Sequence, residues 1–234
     1  VKEVVLTGIN LGDFGKGAEG TKHNETFLGL IKDLETVSGI ERFRISSIEP
    51  NLLTGEIIEF VSNSQRFMPH FHIPLQSGSN KILALMKRRY RRELYADKVR
   101  LIKLLMPHCC IGVDVIVGFP GETEEDFTET FSFLHELEIS YLHVFTYSER
   151  NDTAALDLKP IVPIHVRNLR NKQLRNLSFM KMQAFTRRHE GETRKVLFEG
   201  HDRKSTIDGY TDNYIRIQTL FREDLVNQVK DWKI

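Results

Sequence analysis

The sequence predicts an α/β fold built on a parallel, helix-covered sheet, followed by a small all-β module. Three observations carry that prediction. Short apolar strand-like runs alternate with segments whose apolar residues recur at helical spacing. The run Val113, Val115, Ile116 and Val117 is almost wholly apolar, as a strand covered on both faces requires. Beyond Gly191 the helical spacing gives way to short strands separated by turns.

The strands read as Glu3–Leu6, Phe43–Ile48, Phe71–Ile73, Ile111–Val117 and Tyr141–Phe145. Between them, Phe27, Leu30, Ile31 and Leu34 form one helical stripe, with Asn24 as its expected cap. Ile57, Ile58 and Val61 form a second stripe, and Tyr95, Val99, Ile102 and Leu105 a third. Phe127, Phe131, Leu134 and Leu137 form the fourth, with Thr123 and the acids behind it as a helix start. Alternating strands and helices require parallel pairing, because each crossover needs a helix to return the chain.

Asn151–Pro163 holds two prolines and little periodicity, and reads as a loop. A long helix is expected from about Ile164 to His189, with Val166, Leu169, Gln173, Leu177, Met180 and Ala184 along one stripe. Strands then follow at Thr193–Glu199, Ile207–Tyr210 and Tyr214–Gln218. A boundary near residue 190 divides the chain into 1–189 and 190–234. The second part is small for an independent core, so we expect it to dock on the first or to be truncated.

No apolar run reaches the roughly 20 residues a membrane helix needs. The chain opens directly in a strand pattern without a secretory signal, so we expect a cytoplasmic protein cut from something longer. Net charge is +1, but residues 1–150 hold 17 Lys+Arg against 21 Asp+Glu, and residues 151–234 hold 16 against 11. The second part thus carries +5, which suits a polyanionic partner. Cys109 and Cys110 are adjacent on an extended run, point to opposite faces and cannot share a metal. They read as small buried residues.

Ligands of parallel α/β folds bind at the C-terminal ends of strands. Unusual residues collect there. The first strand exits into Thr7-Gly8-Ile9-Asn10-Leu11-Gly12, where glycines allow close backbone approach to a ligand. The second ends at Glu49-Pro50, and the third at Gln76-Ser77-Gly78, an amide and a hydroxyl suited to a ribose. The fourth ends at Gly118-Phe119-Pro120-Gly121-Glu122, a turn whose open backbone could meet a nucleobase edge. The fifth ends at Tyr147-Ser148-Glu149-Arg150. A flexible loop or a solvated acid explains any one of these alone. His70 and His72 share a strand face, but no third ligand is near them in sequence, so no metal site is expected. Lys87, Arg88, Arg89, Arg91 and Arg92 surround Tyr90, a composition suited to phosphates and a stacked base, or to a solvated helix face.

Taken together, His72-Ile73-Pro74-Leu75-Gln76-Ser77-Gly78-Ser79, Met86 through Tyr90, Asp114 through Thr123 and Tyr147-Ser148-Glu149-Arg150 resemble the radical S-adenosylmethionine methylthiotransferases. Leu6 through Gly12 and Arg44 through Pro50 resemble the branch acting on threonylcarbamoyladenosine in tRNA. Gly191–Ile234 is similar to that family's TRAM module, a tRNA-gripping β-barrel.

The resemblance implies a truncated, TIM-like partial barrel whose first strand and cysteine loop are missing, followed by a TRAM-like module. It implies S-adenosylmethionine as cofactor and two [4Fe–4S] clusters in the full-length enzyme, none held by these residues. Gly8 and Asn10 would lie near the cofactor's methionine end, and Gln76 and Ser77 near its ribose. Gly118, Phe119, Pro120, Gly121 and Glu122 would meet its adenine, with Glu49, Tyr147 and Arg150 as positioning groups. The basic cluster, Tyr210 and Tyr214 would engage the tRNA anticodon stem-loop at adenosine 37, and an electron donor is implied. One departure is Asp152 before Thr153, where the family often has Gly. The rivals are a methylthiotransferase acting on isopentenyladenosine or on a ribosomal protein, and a non-catalytic RNA-binding protein.

Overall fold

The computed structural model describes residues 1–17, 24–200 and 205–234. β1 (Glu3–Leu6) pairs in parallel with β2 (Arg42–Ile45), the chain returning through α1 (Phe27–Thr36). The cap of α1 is Thr26 rather than Asn24: its hydroxyl accepts from the Gly29 N–H at 3.0 Å. α2 (Gly55–Asn63) follows, capped in the same way by Thr54.

β3 (His70–His72), β4 (Cys110–Val117) and β5 (Tyr141–Thr146) form a second parallel sheet in that order. Isolated bridges Phe43–Phe67 and Ser47–His72 join it to the β1–β2 pair, so the five strands curve as one partial barrel. α4 (Arg92–Leu105), α5 (Glu124–Glu136) and α6 (Ile164–Arg188) cover it. A short α3 (Asn80–Leu85), which the sequence reading lacked, precedes α4.

The first half of β4 is buried throughout, but Asp114 and Ile116 are only half-buried. The strand is therefore covered on both faces at its start and turns one face toward an interior cleft further on. Gly112 lets the strands close up, since a Cβ there would lie 2.3 Å from the Tyr141 ring.

α6 corrects the expected stripe. Leu169 and Met180 are more than half exposed, and the buried positions are Arg167, Arg170, Leu174, Leu177 and Phe185. Of the expected set only Leu177 is buried. Two arginines occupy the inward face, so apolarity alone misplaces it.

After α6, β6 (Thr193–Glu199), β7 (Thr206–Thr211), β8 (Arg216–Leu220) and β9 (Val229–Lys233) form an antiparallel sheet in the order β8-β7-β6-β9. β9 had no counterpart in the sequence reading, because Val229-Lys230-Asp231-Trp232-Lys233 carries three charges in five residues.

The module docks on the first residues of the barrel strands. The buried Arg42 donates to the carbonyls of Lys195 (2.6 Å) and Tyr210 (3.3 Å). Arg44 binds both oxygens of Glu3 and donates to the Asp212 carbonyl. Asn213 reaches the His108 carbonyl at 3.1 Å. Cys110, Tyr141, Phe185 and Ile215 form a shared apolar seam.

Candidate functional site

The strand ends gather at one edge as expected, but their side chains are more engaged than the sequence implied. Gly118 has φ +77° and Gly121 +87°, conformations that favour glycine. The Gly118 N–H donates to the Glu122 carboxylate at 2.7 Å, and the Gly121 N–H to the Pro160 carbonyl at 2.8 Å. Phe119, Pro120 and Glu122 are buried. The expectation of open backbone at Gly118–Glu122 is corrected in part: the Gly118, Gly121 and Glu122 N–H groups are already bonded, under α6 and the preceding loop. Burial raises the Glu122 carboxyl above its ordinary range, against the pull of the Gly118 N–H and Arg170.

Ser77 is corrected likewise. It is fully buried, lies 3.2 Å from the Thr130 hydroxyl on α5, and accepts the Ser79 N–H. Gln76 stands at φ 72°, a strained conformation for a non-glycine residue, while its backbone bonds to Asp114 and Ile116. Its side-chain amide makes no hydrogen bond among the described residues, which leaves it free for a ligand. Gly8 is exposed. The Asn10 amide donates to Asp13, and its Oδ1 is buried without a partner.

Tyr147 and Arg150 do come together with a cavity. With Ile116, Phe145, Ser148 and Thr153 they line a space of about 460 Å³. Tyr147 takes the Phe119 ring against its own at 5.3 Å and carries the Arg167 guanidinium 5.5 Å from its centre. Arg167 itself binds the carbonyls of Val162 and Tyr147 and the Glu149 carboxylate.

The basic cluster divides in two. Lys87, Arg89 and Arg91 are exposed. Arg88 instead pairs with Glu49 at 3.1 Å, which ties both of those candidates to each other. Arg92 pairs with Glu129 and donates to the Gly78 carbonyl. Tyr90 is buried, its hydroxyl bonded to the carbonyls of Pro74 and Leu75, so it is a structural anchor and not a stacking surface.

A second cavity, about 510 Å³, opens inside the barrel. Its walls include Arg44, Ser46, His70, His72, Asp114, His143 and, from the module, Tyr210 and Tyr214. The module's two tyrosines are stacked at 5.0 Å and turned toward the barrel. Tyr214 packs 4.4 Å from the His70 ring and carries the Arg44 guanidinium over its face. Asp114 meets His72 Nε2 at 2.8 Å and His143 Nδ1 at 3.4 Å. Burial opposes ionisation of Asp114, but hydrogen bonds from His143 and His72 outweigh it and bring the carboxyl down to about 2. Burial drives His70 well below the ordinary histidine range, so it is neutral.

The sequence reading missed Asp114, His143 and Arg44 as a group. The available signal was polarity at alternate positions of otherwise apolar strands. The two cysteines are free and buried at the start of β4, and burial pushes the Cys110 thiol up to about 12.

A family model described as "Radical SAM superfamily" matches residues 10–134. A Bacillus subtilis protein named threonylcarbamoyladenosine tRNA methylthiotransferase MtaB is 39% identical over 238 residues, covering 100% of this chain and 52% of that one. Its Aquifex aeolicus namesake is 40% identical, covering 93% and 50%. A Clostridium tetani tRNA-2-methylthio-N(6)-dimethylallyladenosine synthase is 35% identical, covering 100% and 51%. The chain spans about half the length of the curated relatives it matches.

Proposed function

Because the chain belongs to the radical SAM superfamily, we propose that it is part of a tRNA-modifying enzyme that methylthiolates C2 of N6-threonylcarbamoyladenosine at position 37. The observation that carries this reading is similarity to relatives bearing the threonylcarbamoyladenosine name, at 39% identity over 100% of the chain and 40% over 93% of it. The dimethylallyladenosine relative, at 35%, supports the same chemistry on a neighbouring substrate.

S-adenosylmethionine fits the residues present. The cavity beside Ile116, Tyr147 and Arg150 joins an apolar wall to polar groups; outside its lining, the buried Asn10 Oδ1 and the strained Gln76 each offer an unused amide atom. When reductively cleaved, the cofactor supplies the oxidant for an unactivated C–H bond, and the protein supplies binding and orientation. Tyr147 and Arg150 would wall the cofactor, Gln76 and Asn10 would orient it, and the Gly118–Glu122 turn would fix the cavity's shape. The [4Fe–4S] cluster does not fit the two cysteines of this chain, so these 234 residues alone would not cleave the cofactor.

Lys87, Arg89 and Arg91 would meet phosphates of the anticodon stem-loop. An electron donor would serve the whole enzyme. Deleting the complete gene and analysing hydrolysed tRNA by mass spectrometry tests the reading. Loss of 2-methylthio-N6-threonylcarbamoyladenosine supports it; loss of the isopentenyl analogue instead, or no change, overturns the substrate assignment.

A further inference from the structure

His70 and His72 alone offer no metal site, because a strand supplies no third donor at that spacing. The fold changes this. β3, β4 and β5 lie side by side, with Asp114 directly opposite His143 and His72 opposite Gly112. His72, Asp114 and His143 therefore form a row across three strands on the wall of the interior cleft. One ligand atom from each, an imidazole nitrogen of either histidine and an Asp114 oxygen, falls within 4.8 Å of the other two.

We propose that these three residues bind a divalent first-row transition-metal ion, with coordination positions left open to the cleft. Two imidazoles and one carboxylate select zinc-, cobalt- or iron(II)-like ions over calcium or magnesium, which prefer all-oxygen sites. Donors at about 2.0–2.2 Å from the ion stand roughly 3–3.5 Å apart. The His72–Asp114 contact of 2.8 Å and the His143–Asp114 contact of 3.4 Å need shifts of a few tenths of an ångström, and the two imidazole nitrogens, within 4.8 Å of each other, draw together by side-chain rotation.

Two further features support the site. The Tyr141 hydroxyl lies 3.4 Å from His72 Nδ1, the partner that fixes a ligating imidazole through its other nitrogen. The same wall also holds polar atoms without partners: Ser46 Oγ, and Nδ1 of His70, a residue 5% exposed. Both could bond water or a molecule held by the ion. The inference rests on this geometry and not on the tRNA reading.

The test uses this chain stripped of metal, titrated with Zn2+ by calorimetry and with Co2+ by visible absorption. One equivalent should bind, with d–d bands of a mixed nitrogen–oxygen site. His143→Ala and Asp114→Asn should each weaken binding at least tenfold while circular dichroism and melting stay close to the parent. His143 is the safer variant, its side chain being 56% exposed. No saturable binding, or binding unchanged in both variants, overturns the proposal.

Discussion

Arg170 Nη1 stands 2.7 Å from Glu122 Oε2, and the two side chains are 5% and 1% exposed. The same Glu122 oxygen accepts the Gly118 N–H. One buried carboxylate thus fastens the turn after β4 to α6, and the turn packs Phe119 against Tyr147 on the wall of the strand-end cavity.

Arg170→Met would leave that carboxylate buried and unpaired, which costs about 3–5 kcal/mol. Adding Glu122→Gln removes the stranded charge, so the double variant should regain at least half of the loss. Urea denaturation of both variants measures this, and a double variant no more stable than the single would refute the account.

Asp126 supplies the pH dependence. Burial disfavours its charge, but hydrogen bonds from Lys81, the Thr123 N–H, and the Ser79 and Thr123 hydroxyls hold it below the usual aspartate range. A depressed carboxyl stabilises the fold above its unfolded value near 3.8 and loses that contribution as pH falls through the folded value. Asp126→Asn keeps an acceptor for the Thr123 N–H in the capping box of α5 and removes the charge that pairs with Lys81. Stability of the variant, followed by thermal melts from pH 7 to pH 3, should decline less steeply than that of the parent.

Replacing Lys87, Arg89 and Arg91 together by Ala should weaken tRNA binding and flatten its salt dependence. Each phosphate contact contributes a log–log slope of about 0.9. Filter binding at several salt concentrations reads the slope; a variant matching the parent removes these residues from the interface. Tyr90→Phe should instead leave the slope alone and lower stability by about 1 kcal/mol, through loss of its bonds to Pro74 and Leu75.

Gly118→Ala places a side chain at φ +77° and 2.3 Å from Arg167 Cγ. The backbone and packing penalties together amount to about 2–4 kcal/mol. A melting temperature within 2 °C of the parent would contradict this reading of the turn (about 0.5 kcal/mol in a domain of this size).

Much of the fold is legible because burial leaves periodicity. Every barrel strand and the four helices with clear apolar stripes fall within a few residues of where Phe27, Ile58, Tyr95 and Phe127 place them. α6 is legible as a helix but not in its orientation, because Arg167 and Arg170 are neutralised by Glu149, Glu122 and backbone carbonyls that lie elsewhere in the chain. The same limit applies to the site. Ser77 and Tyr90 look like ligand contacts until the fold supplies Thr130 and Pro74 as partners. Asp114 and His143 look unrelated until strand register sets them opposite each other.

The docking of Arg42 and Arg44 into carbonyls of residues 195, 210 and 212 bears on any attempt to transplant the C-terminal sheet. Both residues are 3% exposed, and their guanidiniums find several of their acceptors on the far side of the seam. A chimera that swaps in a foreign β-module must therefore reproduce that turn's backbone path as well as its sequence. One that fails to do so leaves guanidinium N–H groups of Arg42 and Arg44 buried against no acceptor. The two parts are exchangeable only where the incoming module sets its own carbonyls against residues 42 and 44.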